Sequence, residues 1–68
     1  MMARRQLPKL IGFAVDLPVE LHPETDLWKR GYRTGTIVKV GRKLIHVNVD
    51  RLGRVVRLVP GNIHKIIT

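Results

Sequence analysis

Apolar residues along this chain recur with a period of two rather than 3.6, the pattern of strands that bury one face. From Ile11 the odd positions read Ile11, Phe13, Val15, Leu17, Val19 and Leu21, and the even positions Gly12, Ala14, Asp16, Pro18, Glu20 and His22. That alternation predicts a first strand over residues 11–21. Pro18 cannot donate to a ladder, so its part of the strand is expected at an edge or a bend. The polar loop over 22–26 follows, where Thr25 or Asp26 can cap a short helical turn over Leu27, Trp28 and Lys29. Gly31 and Gly35 frame a second strand over 32–40. Gly41 and Arg42 suit a two-residue hairpin loop of type II′, with glycine first.

A third strand over 43–49 turns Ile45, Val47 and Val49 to one face and Leu44, His46 and Asn48 to the other. The next turn is Asp50-Arg51-Leu52-Gly53. A four-residue loop sets Val47 opposite Val56 and Ile45 opposite Leu58, whereas a three-residue loop would set Val47 opposite Arg57 and spoil the apolar face. The four-residue loop is therefore expected, with a fourth strand over 54–59. Pro60-Gly61-Asn62 breaks the ladder as a short 3₁₀ turn, and a fifth strand covers 63–67. Five strands and no internal repeat make the chain all-β. A small antiparallel sheet removes its exposed edges by curling into a barrel, so a five-stranded antiparallel barrel over residues 10–68 is expected. Residues 1–9 read as a basic arm that either lies along a groove or stays disordered.

The run Gly31 to Val40, then Ile45-His46-Val47-Asn48-Val49-Asp50, then Gly53 to Pro60, then Ile63-His64-Lys65-Ile66 resembles the SH3-like small β-barrels, the KOW and Tudor types among them. The shared order is a G-x-V strand, a strand ending in Asp, a Gly turn, a Pro-containing 3₁₀ turn and a closing I-x-x-I strand. The resemblance implies the SH3-like barrel. Its KOW-like form implies contact with nucleic acid or nucleic-acid machinery. Methyl-lysine readers need an aromatic cage, and Pro-peptide SH3 domains need an aromatic groove. Phe13, Trp28 and Tyr32 supply neither. Val56-Arg57-Leu58-Val59-Pro60 falls where the SH3-like trimethoprim-resistant reductases carry Val-Gln-Ile-Tyr-Pro, and its Arg57 and Val59 depart from that run.

Length and charge change this picture in two ways. A chain of 68 residues buries only about 60% of its unfolded surface, and without cysteine it has neither a disulfide nor a thiolate metal site. Barrel closure, oligomerisation or ligand binding must therefore supply stability. Thirteen Lys and Arg face five Asp and Glu, a formal charge of +8. Asp16, Glu20, Glu24 and Asp26 all fall within residues 10–26, which hold no Lys or Arg, while residues 27–68 hold Asp50 as their single acid. A surface of this kind concentrates polyanions.

The candidate chemistry follows the cations. Lys29, Arg30 and Arg33 lead into the second strand, Lys39, Arg42 and Lys43 surround the hairpin after it, and Arg51, Arg54 and Arg57 belong to the next hairpin. These nine are the candidate nucleic-acid-binding residues, expected to merge into one patch across neighbouring hairpins. Arg suits phosphate through bidentate contacts. His46 and Arg57 are expected as cross-strand neighbours, a pair suited to a phosphate. With few exposed aromatics, backbone contact of little sequence preference is favoured over base stacking, and DNA over RNA.

Leu44, Val55 and Val59 are apolar on the outward parity, a candidate protein interface or homo-oligomer contact. The other function class is thus an inhibitory or adaptor module, of the phage or mobile-element type, whose basic face meets an acidic protein.

No enzyme is expected. The chain has no Cys or Ser, and Asp16 and Glu20, about 13 Å apart by strand rise, read as charge guarding an exposed edge. His22, His46 and His64 lie on separate elements, so neither a metal site nor a cofactor is expected. No apolar run reaches the ~18 residues of a membrane span, and the first residues lack a secretory h-region. The expected compartment is the cytoplasm of the producing cell or of a host.

Overall fold

The computed structural model describes residues 12–67. The expected arm over 1–9 and the first position of the expected first strand, Ile11, lie outside them. Strand β1 is Pro18–Leu21, helix α1 Asp26–Lys29, β2 Thr34–Val40, β3 Ile45–Val49 and β4 Val55–Leu58. A 3₁₀ turn over Pro60–Asn62 then leads to β5, Ile63–Ile66. The strands form one antiparallel sheet in the order β4-β3-β2-β1-β5. Among the described residues no ladder joins β4 to β5, so these two end strands are linked by the 3₁₀ turn alone.

The apolar parity sets the register. Val47 lies opposite Val56 and Ile45 opposite Leu58, as the four-residue loop requires. Val19, Leu21, Ile37, Ile45, Val47 and Val49 are essentially inaccessible, and Leu58 and Ile63 complete the core. Burying each such side chain contributes about 1.5–3 kcal/mol. Phe13, Leu17, Leu27, Trp28, Tyr32, Val40, Leu52, Val56 and Ile66 pack around them.

Two β-bulges interrupt the period of two, and both have the same cause. Ile37 and Val40 are three apart, an odd spacing that a regular strand would send to opposite faces. Ile37 pairs with Val47 but Lys39 with His46, so Val38 is the extra residue and Val40 returns to the core side opposite Ile45. Ile63 and Ile66 repeat the problem in β5. There Leu21 pairs with Ile63 and Glu20 with Lys65, leaving His64 as the extra residue.

Four expectations change. The alternation over 11–21 does not make one strand. The chain turns at Val15 and Asp16, Asp16 has φ 76°, and β1 begins only at Pro18. Val15 is 52% exposed, so it never joins the core face. The proline thus stands at a bend and opens the strand. Second, β1 lies between β2 and β5, so Glu20, opposite both Thr34 and Lys65, guards no edge.

Third, the β2–β3 loop is Arg42-Lys43, closed by the Gly41 N–H to the Leu44 carbonyl at 2.9 Å. Neither Gly41 nor Arg42 nor Lys43 has positive φ, so the turn is not type II′. A Gly41-Arg42 loop would have put Ile37 opposite His46, and core pairing of Ile37 with Val47 overrides it. Fourth, β2 begins at Thr34 and not at Tyr32, with Gly35 inside it between Val19 and Val49. A Cβ there would stand 2.6 Å from Val47 Cγ1, 2.8 Å from the Asn48 carbonyl oxygen and 3.1 Å from Val49 Cα. Only glycine lets the backbones approach this closely.

Candidate functional site

Antiparallel hairpins in a meander put successive turns at opposite ends of the sheet. The β2–β3 turn, with Arg42 and Lys43, is at one end. The β3–β4 turn, with Arg51 and Arg54, is at the other, beside the start of β2, where the Asp50 N–H donates to the Thr34 carbonyl at 2.9 Å. The five residues of β3 alone separate the turns by roughly 13 Å. The nine candidate cations therefore divide into two groups instead of merging.

At the α1 end the surroundings of several cations are specified. Thr25 caps α1: its hydroxyl oxygen accepts from the Trp28 N–H at 3.2 Å, and the hydroxyl donates to the His22 carbonyl at 2.8 Å. Gly31, at φ 103°, ends the helix, with Gly31 N–H bonded to the Trp28 carbonyl and Tyr32 N–H to that of Leu27. This exit places the Arg33 guanidinium 4.1 Å from the Trp28 ring centroid. Arg30 lies 3.6 Å from the Asp26 carboxylate, a well-exposed pair of small energetic weight. Thr34 donates to the Asp50 carboxylate at 2.6 Å. Lys29, Arg51 and Arg54 are exposed at this end and form no ion pair among the described residues. Here too His22 and His64 meet edge to face, ring centroids 5.8 Å apart, while His22 Nδ1 accepts from the Glu24 N–H at 3.1 Å.

The other end holds an open depression of about 340 Å³ lined by Gly41, Arg42, Lys43, Leu44, His46 and Arg57. Its geometry follows from the register. His46 lies directly opposite Arg57 on β4 and Lys39 on β2, one transverse row across three strands. Such partners have Cβ atoms about 4.5–5.5 Å apart. Lys39 reaches this row only because the Val38 bulge returns it to the outer face; a regular strand would put Lys39 opposite Ile45, on the core side. No carboxylate forms an ion pair with Lys39, Arg42, Lys43 or Arg57 among the described residues.

Sequence reasoning placed His46 beside Arg57 and left the histidine out of the binding set; its position between two cations was hidden by the unforeseen bulge. Leu44, expected in an apolar interface strip, is half-buried and walls the depression. Val55 and Val59 are exposed, at 48% and 47%, on either side of Arg57. Among the described residues no group of three potential metal ligands occurs, and no helix is long and apolar enough to cross a membrane. Comparison with protein-family models, curated proteins and solved structures finds no match.

Proposed function

We propose that this protein is a non-enzymatic, SH3-like small barrel of the cytoplasm that binds nucleic acid through the phosphate backbone, duplex DNA foremost. One observation carries the reading: Arg42, Lys43 and Arg57 line one open depression with His46, Lys39 lies opposite His46 on β2, and among the described residues no carboxylate forms an ion pair with any of the four. A patch of cations paired with no acid among the described residues is matched by a polyanion. The scarcity of aromatics argues for backbone contact without base reading, since Trp28 is already under Arg33.

The test is a salt titration of DNA and RNA duplexes by fluorescence anisotropy. Contact with three to five phosphates gives a slope of log K against log salt of roughly −3 to −4.5. Absence of binding to either duplex at about 50 mM salt, the low end of such titrations, overturns the proposal.

A second reading has its own observation. Val55 on β4 and Val59 just after it flank Arg57, and β4 is an end strand of the sheet with one edge unpaired among the described residues. An extended acidic segment of a partner protein would set carboxylates on Arg57 and apolar side chains on the valines. A second copy is a poorer occupant, because pairing β4 with β4 brings Arg54 and Arg57 of both copies onto one short ladder. An acidic partner that survives nuclease treatment and is lost in Val59→Lys would establish this reading over the first.

A further inference from the structure

We propose that the depression at the β2–β3 turn is a proton-linked phosphate seat, in which His46 binds a proton as the oxyanion binds. The inference rests on the nucleic-acid reading for its natural ligand, an internal phosphodiester. The chemistry it needs is only a tetrahedral phosphate. The depression of about 340 Å³ is open, so a tetrahedral oxyanion can approach the side chains that line it. Arg42, Lys43 and Arg57 offer charged donors from the turn and from β4. Gly41 adds no side chain to the rim, and Leu44 makes one wall apolar.

His46 is the one member of this set with an imidazole, a ring that can take up a second proton and then donate from both nitrogens. Among the described residues the charged groups beside it on the neighbouring elements are cations: Lys39 on β2, Arg57 on β4, and Arg42 and Lys43 on the turn. Asp16 is joined to β2 through its backbone, its N–H donating to the Ile37 carbonyl at 2.7 Å. Its carboxylate makes no ion pair with Lys39. In the empty seat, a proton on His46 adds a positive charge among four others. With an oxyanion in the middle, the same proton gains a partner and donates to it. Ligand and proton therefore bind with positive coupling, and each raises the affinity for the other. The sign is fixed: affinity for phosphate rises as pH falls through the histidine range. Backbone phosphodiesters keep their charge across that range, so the dependence belongs to the protein.

The test compares duplex DNA affinity at pH 8 and pH 6, at one low salt concentration, for the wild-type chain, His46→Gln and the control His22→Gln. His22→Gln is included because it removes an imidazole from the other end of the sheet, where His22 and His64 meet edge to face. Circular dichroism and thermal melting check that each variant is folded. One linked proton gives at most about tenfold per pH unit. The wild type and His22→Gln should therefore bind several-fold to tenfold more tightly at pH 6, and His46→Gln should lose most of that gain. A pH response that survives in His46→Gln, or none in the wild type, overturns the seat.

The His46 ring proton resonances, followed by NMR with inorganic phosphate, separate the two levels. Perturbation by phosphate without DNA binding leaves the seat standing and removes the nucleic-acid reading. Silence in both removes both. Duplexes with and without 5′-phosphates distinguish a terminal phosphate from an internal one, the internal source giving equal affinities. A polyglutamate peptide that binds more tightly than DNA of equal charge overturns the phosphate assignment in favour of a carboxylate partner.

Discussion

At the α1 end of the sheet Arg33 lies over Trp28, Arg30 faces Asp26, and Asp50 is held by Thr34. At the β2–β3 end Arg42, Lys43 and Arg57 line a depression with His46 and, among the described residues, have no acid in an ion pair with them. The seven residues of β2 keep the two groups roughly 20 Å apart. The same residue type thus does different work at each end. Arg33 covers a half-buried tryptophan beside the core, so its charge serves packing. Among the described residues the cations of the β2–β3 turn form no ion pair, and the bulge that returns Val40 to the core also turns Lys39 to their side. Net charge alone cannot separate these cases; the partners of each cation do.

The harshest way to test whether the ends share one scaffold is Gly35→Ala. The added Cβ meets the backbone oxygen of Asn48 and the Cα of Val49, which cannot rotate away as a side chain would. Destabilisation of about 3 kcal/mol, the upper end for overpacking, is expected in denaturant unfolding. The sole tryptophan, Trp28, and the His46 NMR signals should report the same midpoint. Separate midpoints would mean that the two ends unfold independently.

Next in size is a pair of charge removals. Replacing Arg42, Lys43 and Arg57 by Gln should weaken DNA binding about 10- to 100-fold at low salt and flatten the salt slope by about three, one unit for each lost phosphate contact. Replacing Lys29, Arg30 and Arg33 by Gln should leave the slope within about one unit of wild type. Equal losses from both sets would erase the difference between the ends.

This division was only partly legible in the sequence. Strand parity fixed the pairing of β3 with β4, because Val47 has one apolar partner at the right distance, Val56. The Thr25 cap was visible as a residue type before a short apolar run. The two bulges were not foreseen, yet their signal is present: Ile37 with Val40, and Ile63 with Ile66, place core residues an odd number apart within a strand. The alternation through residues 11–17 misled for the opposite reason. A period of two is necessary for a half-buried strand but does not supply a partner, and the chain turns at Asp16 where the pattern continues. The nine cations were individually legible. Their division was not, because it follows from which end each hairpin turn occupies.

A smaller effect is expected at the α1 cap. Thr25→Ala removes the acceptor for the Trp28 N–H and the donor to the His22 carbonyl, at a cost of about 1 kcal/mol. Thermal unfolding measures that loss. DNA affinity under folding conditions should be unchanged, since the cap lies at the far end from the depression. A matching fall in affinity would show that the α1 end holds the binding surface in shape.

The smallest change gives the sharpest reading of the comparison. Arg51 occupies the β3–β4 turn at φ 72°, two residues before Gly53 at φ 83°. A left-handed conformation costs a non-glycine residue about 1–2 kcal/mol. Glycine removes that cost but gives up about 0.5–1 kcal/mol of chain entropy on folding. Arg51→Gly should therefore stabilise the fold by about 0.5 kcal/mol in denaturant unfolding, while its salt slope for DNA stays at the wild-type value. Both halves matter. A turn that tolerates arginine in a glycine conformation invites the idea that the charge is kept for a ligand. If the slope instead flattens by about one, Arg51 contacts a phosphate, the α1 end belongs to the interface, and the two ends act as a single binding surface.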